Sequence, residues 1–490
     1  MLISLKDNQY KGVPWQEAVG KGAPDSQKGE LPKYEGRTKE ILRDFSGLAL
    51  EDLSEKIVNS QKFLLYPPRQ SKSELQNDDC IFSLVNETSE APLFRTGNIM
   101  GFLHLDDIQM HITSRFDDGP NNFFLHYMLQ KIGNVAFTPK TNSYEDNILD
   151  FLCYLFPNYL NNALKQGIFR AYVTKEYNDA NVRGPIDVNR HIRFNTPFNG
   201  KIAYRTREYT TDNHITQLIR HTIEYIRALS FGKNILGGDL PRETRNNVRA
   251  IEQATETYVK NARRQVISKN LRPVTHPYYT MYEELRKLCL AILLHKRLSY
   301  GNSPDNPISG ILFDGASLWE EYLAKIIAKT KLGIIHSNNR KKENGICLFK
   351  IGGVYYPDFY RRNSGDKPDG VVLDAKYKAL AVLSGAGPAE TFESDSSGFK
   401  PNIDRSDLFQ MLAYIHCIPV SKAFLLFPIK DEENRLNSVA VSKPKVARGQ
   451  GGEISAIGFP IPQNIDKFDV FSQKMEEIES NLEKILAQLV

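Results

Sequence analysis

No run of apolar residues in this chain approaches the roughly 18 needed to cross a bilayer, so no membrane span is expected. The first residues lack a basic stretch followed by an apolar one, so no secretory leader is expected either, and the expected location is the cytoplasm. Cysteine is scarce: Cys80, Cys153, Cys289, Cys347 and Cys417 are odd in number and show no paired spacing. That pattern excludes a disulfide framework and a cysteine zinc site. There is no Gly-x-x-x-x-Gly-Lys-Ser/Thr loop, and Gly232 and Gly237-Gly238 read as loop glycines, so the chain is not expected to hydrolyse nucleotides. No repeat period is visible. Charge of one sign is also modest, with a net charge of +5. This suits contact with phosphate backbones without diagnosing it. The clusters Arg263-Arg264, Lys269 and Arg272, and Arg340-Lys341-Lys342, read first as solvated faces or loops.

What is present is an ordinary soluble composition, 41% hydrophobic and 10% aromatic over 490 residues, enough for two or three domains. The pattern divides into three segments. Residues 1–105 form an extension of uncertain role, with an irregular start, a helical stripe over 38–61 and strands near 63–66 and 81–85. Residues 106–305 begin with a strand at 108–112 and helices over 121–132 and 144–165. Three strands follow at 167–173, 182–188 and 201–205. A long helix then opens at Thr211-Asp212, a good N-cap pair, with Ile215, Leu218, Ile219, Ile223 and Ile226 on one stripe. Helices near 241–262 and 278–299 complete this segment, and Pro304 and Pro307 close it.

Residues 306–490 have a different order. An amphipathic helix over 314–329 carries Leu318, Trp319, Tyr322, Leu323, Ile326 and Ile327 toward a core, together with Glu320 and Glu321. Strands are expected near 333–336, 346–351, 353–357 and 370–378. A small-residue loop at 384–402, a helix from Asp404 to His416, a buried strand at 423–427 and a final helix over 467–488 follow. The fold class is α/β (α+β overall): a mixed sheet flanked by helices, behind a β-rich N-terminal region and a helical middle.

The chemistry concentrates in two stretches. Val354-Tyr355-Tyr356-Pro357-Asp358 reads as a strand arriving at a carboxylate, and Gly370 to Lys378 delivers Asp374 and Lys376. Alternate side chains of a strand share a face, so Asp374 and Lys376 emerge together. Two acids and a lysine on one sheet edge suit a divalent cation and an activated water. An Asp-x-Lys tripeptide alone is more often the mark of a surface ion pair. Gln410 and Tyr414 fall one turn apart on a single helical face.

An acid on a helix, Pro-Asp at a strand end, Asp-x-Lys on the next strand and Gln on a following helix resemble the PD-(D/E)xK nuclease superfamily. Leu318-Trp319-Glu320, Pro357-Asp358, Asp374-Ala375-Lys376-Tyr377-Lys378 and Asp407 to Tyr414 are similar to the McrC nuclease subunits of AAA+-driven restriction systems and to their LlaJI-type counterparts. Val182-Arg183-Gly184-Pro185-Ile186-Asp187, Tyr204-Arg205, Asp212-Asn213 and the stretch from Met110 to Gly133 resemble the same family upstream. The first hundred or so residues have no counterpart.

The resemblance implies phosphodiester hydrolysis of double-stranded DNA with Mg2+, Mn2+ being a possible substitute, in defence against foreign DNA. It implies Asp358, Asp374 and Glu320 as metal ligands, and Lys376 and Gln410 as further catalytic-site residues. Glu321 stays open as the rival of Glu320. It also implies that the middle segment contacts and stimulates an McrB-like AAA+ GTPase or ATPase supplied in trans. Two alternatives stand beside this: a stand-alone sequence-specific nuclease, and a catalytically silent DNA-binding or motor-regulating scaffold.

Overall fold

The computed structural model describes residues 1–20, 33–48, 63–66, 80–86, 92–105, 108–117, 122–133, 144–229, 232–236, 242–298, 310–338, 342–347, 352–363, 369–378, 389–391, 399, 401–418, 420–431, 438–448 and 451–489. Contacts group the chain into two compact units that cut across the three sequence segments. One contains Met1–Ile132, Thr138–Ile148 and Ile308–Val490; the other contains Gly133–Phe137 and Leu149–Pro307. Among the described residues, no helix is long and apolar enough to cross a membrane.

The first unit holds two larger sheets. A five-stranded sheet runs in the order Leu2–Lys6, Ile108–Thr113, Ile99–Leu105, Gly310–Asp314, Phe63–Tyr66. The strand Gly310–Asp314 is unexpected, although Ile311-Leu312-Phe313 is an apolar run. It pairs antiparallel with Ile99–Leu105, so a strand from the third segment lies inside the sheet of the first. This insertion is why residues before 105 and after 308 fold as one body. Leu312 belongs to the same core as Ile3, Phe82, Phe94, Met110 and Trp15. The expected helix over 38–61 is seen as Gly36–Phe45, with Ile41 and Leu42 buried, and residues 49–62 lie outside those described.

The other sheet is seven-stranded, in the order Ile335–His336, Phe359–Arg361, Val371–Ala375, Lys422–Asp431, Glu453–Pro462, Ala440–Val441, with Lys445–Val446 also paired to Glu453–Pro462. Val371–Ala375 pairs antiparallel with Phe359–Arg361 and parallel with Lys422–Asp431. Parallel central strands are covered on both faces and read as continuous apolar runs. Glu453–Pro462 shows why that matters: it is buried from Ile454 to Pro462, and with no alternation it escaped the sequence reading. The helix Arg405–Cys417 packs Leu408, Met411, Tyr414 and Ile415 against Val372, Ala423, Leu425, Ile454 and Ala456. Residues of the other parity meet the helix Gly315–Lys329, where Trp319 and Tyr322 pack on Phe459. Tyr127 and Tyr322 both donate to the buried Glu479 carboxylate, at 2.8 and 2.9 Å, tying Phe123–Gly133 and Gly315–Lys329 to the final helix Phe468–Leu489. The expected loop at 384–402 contains a short antiparallel pair, Ala389–Thr391 with Asn402–Asp404; residues 392–398 lie outside those described.

The second unit is organised around the helix His214–Ala228, whose buried stripe is the expected one: Ile215, Leu218, Ile219, Ile223 and Ile226. Its N-cap is Asn213, not the Thr211-Asp212 pair. The Asn213 side chain accepts from the Ile215 and Thr216 amides, and Thr216 answers in a capping box, which fixes the cap one residue past the expected pair. The expected strand at 167–173 begins later, as Ala171–Asp179, and pairs antiparallel with Ile202–Thr210 over its full length. The expected strand at 182–188 is not one: Asp187 caps a short helix, Val188–Asn195, between the two strands. Arg183-Gly184-Pro185 forms the approach, held by Arg183 donating to the Tyr204 hydroxyl at 3.0 Å and by an Arg205–Asp187 ion pair at 2.7 Å.

Candidate active site

Three elements of the seven-stranded sheet and two helices carry the residues that the sequence singled out. Asp374 ends the buried run of Val371–Ala375, and the ladder continues one residue further because the Lys376 amide donates to the Leu426 carbonyl at 2.8 Å. Alternation therefore holds through Lys376, whose Nζ lies 2.5 Å from Asp374 Oδ2. Asp358 does not end the 353–357 strand as expected. Val354–Tyr355 pairs with Ile346–Cys347 in a separate two-stranded sheet, and Asp358 opens a further strand, Phe359–Arg361. Pro357 has no amide hydrogen to donate and interrupts the ladder, while Phe359 and Tyr360 resume it in the main sheet. The result still brings the acids together. Phe359 is in register with Leu373, and Asp358 Oδ2 accepts from the Ala375 amide at 2.6 Å.

The helix Arg405–Cys417, capped by Asp404, supplies Gln410. Its amide is fixed at both ends: Oε1 accepts from Lys376 Nζ at 2.9 Å, and Nε2 donates to the Tyr414 hydroxyl at 3.1 Å and to Asp374 Oδ1 at 3.4 Å. Tyr414 is buried, not a surface residue. The same helix supplies a residue that the sequence motif contains but to which no role was assigned. Asp407, 5% exposed, lies 3.6 Å from Lys376 Nζ and 2.9 Å from Lys378 Nζ. The signal was its position one turn before Gln410, on the same face.

Glu320 comes from the helix Gly315–Lys329, and its carboxylate pairs with His336 Nε2 at 2.9 Å. The His336 ring stacks on Phe359 with centroids 5.1 Å apart. His336 was missed; a two-residue edge strand offers no pattern that could have marked it. Among the described residues, no three His, Cys, Asp or Glu side chains converge as a ready-made metal cluster. Glu320 and Glu321 are both half-buried, but it is Glu320 whose charge acts on the aspartates.

Burial, then the charges of Asp374 and Glu320, push the Asp358 carboxyl well above the ordinary range. Burial also raises Asp374, against the pull of the Lys376 ammonium. Burial would lower Lys376, but the carboxylates of Asp374, Asp407 and Asp358 together hold it above the usual lysine value. The lysine is thus a fixed cation, and the aspartates are acids crowded in a dry site.

A family model, McrBC 5-methylcytosine restriction system component, matches residues 94–428. The chain belongs to this family. The McrBC match spans every residue of the site and the whole Ala171–Thr210 region, leaving residues 1–93 and the strand Glu453–Pro462 outside it. No curated protein matches the chain. Among solved structures, it aligns with a refined half-complex of Thermococcus gammatolerans McrB AAA+ hexamers with bound McrC, at 14% identity and a TM-score of 0.44, over 99% of this chain and 100% of that one. It also aligns with the Thermococcus gammatolerans McrBC complex, at 15% identity and a TM-score of 0.29, over 67% of this chain and 88% of that one.

Proposed function

We propose that this McrBC-family chain is the Mg2+-dependent DNA endonuclease subunit of an NTPase-driven restriction system, McrC-like in role. The observation that carries the reading is the meeting of Asp358, Asp374, Lys376 and Gln410 from three separate elements. Two carboxylates, each raised by burial and by its neighbours' charge, suit a cation that takes one or two carboxylates and fills its remaining positions with water and phosphate oxygen. Asp358 and Asp374 would hold it, with Glu320, whose Oε1 is paired with His336, as the third acid beside them. When bound, Mg2+ supplies Lewis-acid polarisation of the phosphate and a lowered water pKa.

The chain's own residues do the rest. Lys376, whose ammonium lies 2.5 Å from Asp374 and is held in place by Gln410, would stabilise negative charge developing on the phosphate. Gln410 fixes the lysine's direction and leaves Asp374 in place. Lys378, half exposed beside Asp407, suits a backbone-phosphate contact.

The test is cleavage of plasmid DNA with Mg2+, with and without an AAA+ NTPase partner, by the wild type and by Asp374→Ala and Lys376→Ala. Cleavage is expected only with the partner, and each substitution should abolish it. The site assignment fails if both variants cut like the wild type. Hydrolysis of GTP or ATP by the purified chain alone would overturn the division of labour with a motor in trans.

For the motor contact we propose the segment between the paired strands of the second unit. Ile192, Phe194 and Phe198 are 60, 51 and 68% exposed, beside Arg190 and Arg193, on a scaffold rigidified by Tyr204, Asp179 and Arg183. Large apolar side chains left in water next to arginines mark a protein interface. Replacing Phe194 and Phe198 by Ser should reduce stimulation of the partner NTPase by about tenfold or more, equivalent to one hot-spot contact, and leave the melting temperature unchanged. Undiminished stimulation would place the contact elsewhere.

A further inference from the structure

The residue immediately after Lys376 is gripped by the N-terminal sheet. The Tyr377 carbonyl accepts from Arg115 Nη2 at 2.6 Å, and its hydroxyl is 2.8 Å from Ser114 Oγ. Its ring lies under the Arg115 guanidinium, 4.8 Å from the centroid, and edge-on to Phe116 at 5.1 Å. Arg115 is itself held from the first strand: its backbone amide donates to Asp7, whose side chain is fully buried.

The same hub reaches the helix that carries Glu320. A Cβ on Gly315, the helix's first residue, would sit 2.6 Å from Tyr377 Cε1, so the ring occupies space that only glycine leaves open. The Gly315 amide donates to the Asn98 carbonyl at 3.0 Å, and Arg115 Nη2 reaches the Asn98 side-chain oxygen at 3.3 Å. One buried guanidinium thus touches the chain just past Lys376 and the segment that anchors the start of the Glu320 helix. A charge-assisted bond from a planar, buried donor fixes direction as well as distance.

We infer that Arg115, seated by Asp7, is a positioning residue that sets Lys376 and Glu320 relative to each other, which makes Asp7, Asn98 and Arg115 a clamp on the active site. The inference rests on the nuclease reading of that site. It assigns a purpose to two residues of the N-terminal extension: Asp7 seats Arg115, and Asn98 joins it to the start of the Glu320 helix.

The test compares the full-length wild type, Arg115→Ala, Arg115→Lys and Tyr377→Phe, using linear plasmid DNA in 5-methylcytosine-containing and unmodified forms with the AAA+ partner, its nucleotide and Mg2+. Arg115→Ala should lower kcat by roughly 10- to 100-fold, the range for a misplaced catalytic group, with KM for DNA changed less than about threefold. Arg115→Lys, which keeps a cationic donor, should recover part of the loss, and Tyr377→Phe should show a smaller one. Hydrogen exchange supplies a readout independent of cleavage: the amides of 371–378 and 315–320 should exchange faster in Arg115→Ala, and those of 214–228 should not. Wild-type kcat and protection in Arg115→Ala would overturn the inference, as would faster exchange throughout the first unit in all three variants. If the wild type itself does not cut, the nuclease reading falls and the clamp stands or falls on the local exchange pattern.

Discussion

Asp358→Asn should abolish DNA cleavage and at the same time make the metal-free protein more stable. The loss of activity is expected to be on the order of a thousandfold, the equivalent of several kcal/mol of transition-state stabilisation withdrawn from a metal site. The gain in stability follows from the site's electrostatics. Asp358 is raised well above its ordinary 3.8 by burial and by the charges of Asp374 and Glu320. A carboxyl raised on folding binds more protons in the folded than in the unfolded state above pH 3.8. Its contribution to stability is therefore full at low pH and is lost as pH rises toward the folded value.

Asparagine removes that slope yet keeps an oxygen to accept from the Ala375 amide. With EDTA at neutral pH, the melting temperature should rise by roughly 2–4 °C, the shift expected for about 1 kcal/mol in a large domain. Mg2+ should raise the melting temperature of the wild type more than that of the variant, and this difference should shrink as pH falls and protons compete for the carboxylates. A variant that loses stability, or that still responds to Mg2+ like the wild type, would show that Asp358 is a structural acid.

Gly101→Val should have the largest effect on the fold. Gly101 has a φ of +134°, and a Cβ there would lie 2.0 Å from the Ile311 carbonyl oxygen and 3.0 Å from Leu312 Cα. Both atoms are backbone, so no rotamer change relieves the clash, and valine adds the strain of a backbone region that branched residues avoid. The strand Gly310–Asp314 must then leave its register with Ile99–Leu105. Asp314 caps the Glu320 helix from the end of that strand, accepting from the Ser317 amide, so the damage passes directly to the site. A destabilisation of at least about 3 kcal/mol is expected, seen as a lower melting transition of the first unit and a parallel loss of cleavage. A wild-type melting curve would mean that residues 1–105 are an independent appendage.

Much of this protein was legible in its sequence. Period 3.6 marked the helix Gly315–Lys329 and the stripe of His214–Ala228, and period 2 correctly placed Asp374 and Lys376 on one face. The order of acid, Pro-Asp, Asp-x-Lys and Gln named the residues that meet in the site, and with the upstream motifs it pointed to the McrBC family. These are local signals, carried by neighbours a few residues apart, and the chain needs no partner to display them. The same locality misled where a tertiary partner decides. Asp358 begins a sheet strand because Phe359 finds Leu373. The 182–188 stretch is the approach to a capped helix, Val188–Asn195, between two strands that pair along their length. Glu453–Pro462 is a strand because Lys422–Asp431 pairs along its whole length, with Ala440–Val441 and Lys445–Val446 on its other edge.

The Asp-x-Lys stretch itself was ambiguous between a nuclease centre and a surface ion pair. What sets it apart from a surface pair is burial, together with Asp407, Gln410 and His336 arriving from elements up to dozens of residues away. The union of residues 1–105 with the segment that carries the candidate site was decided in the same way. A strand's side-chain pattern states which face is apolar but not which sheet it will join, and Gly310–Asp314 joined the one whose open edge and core fitted it.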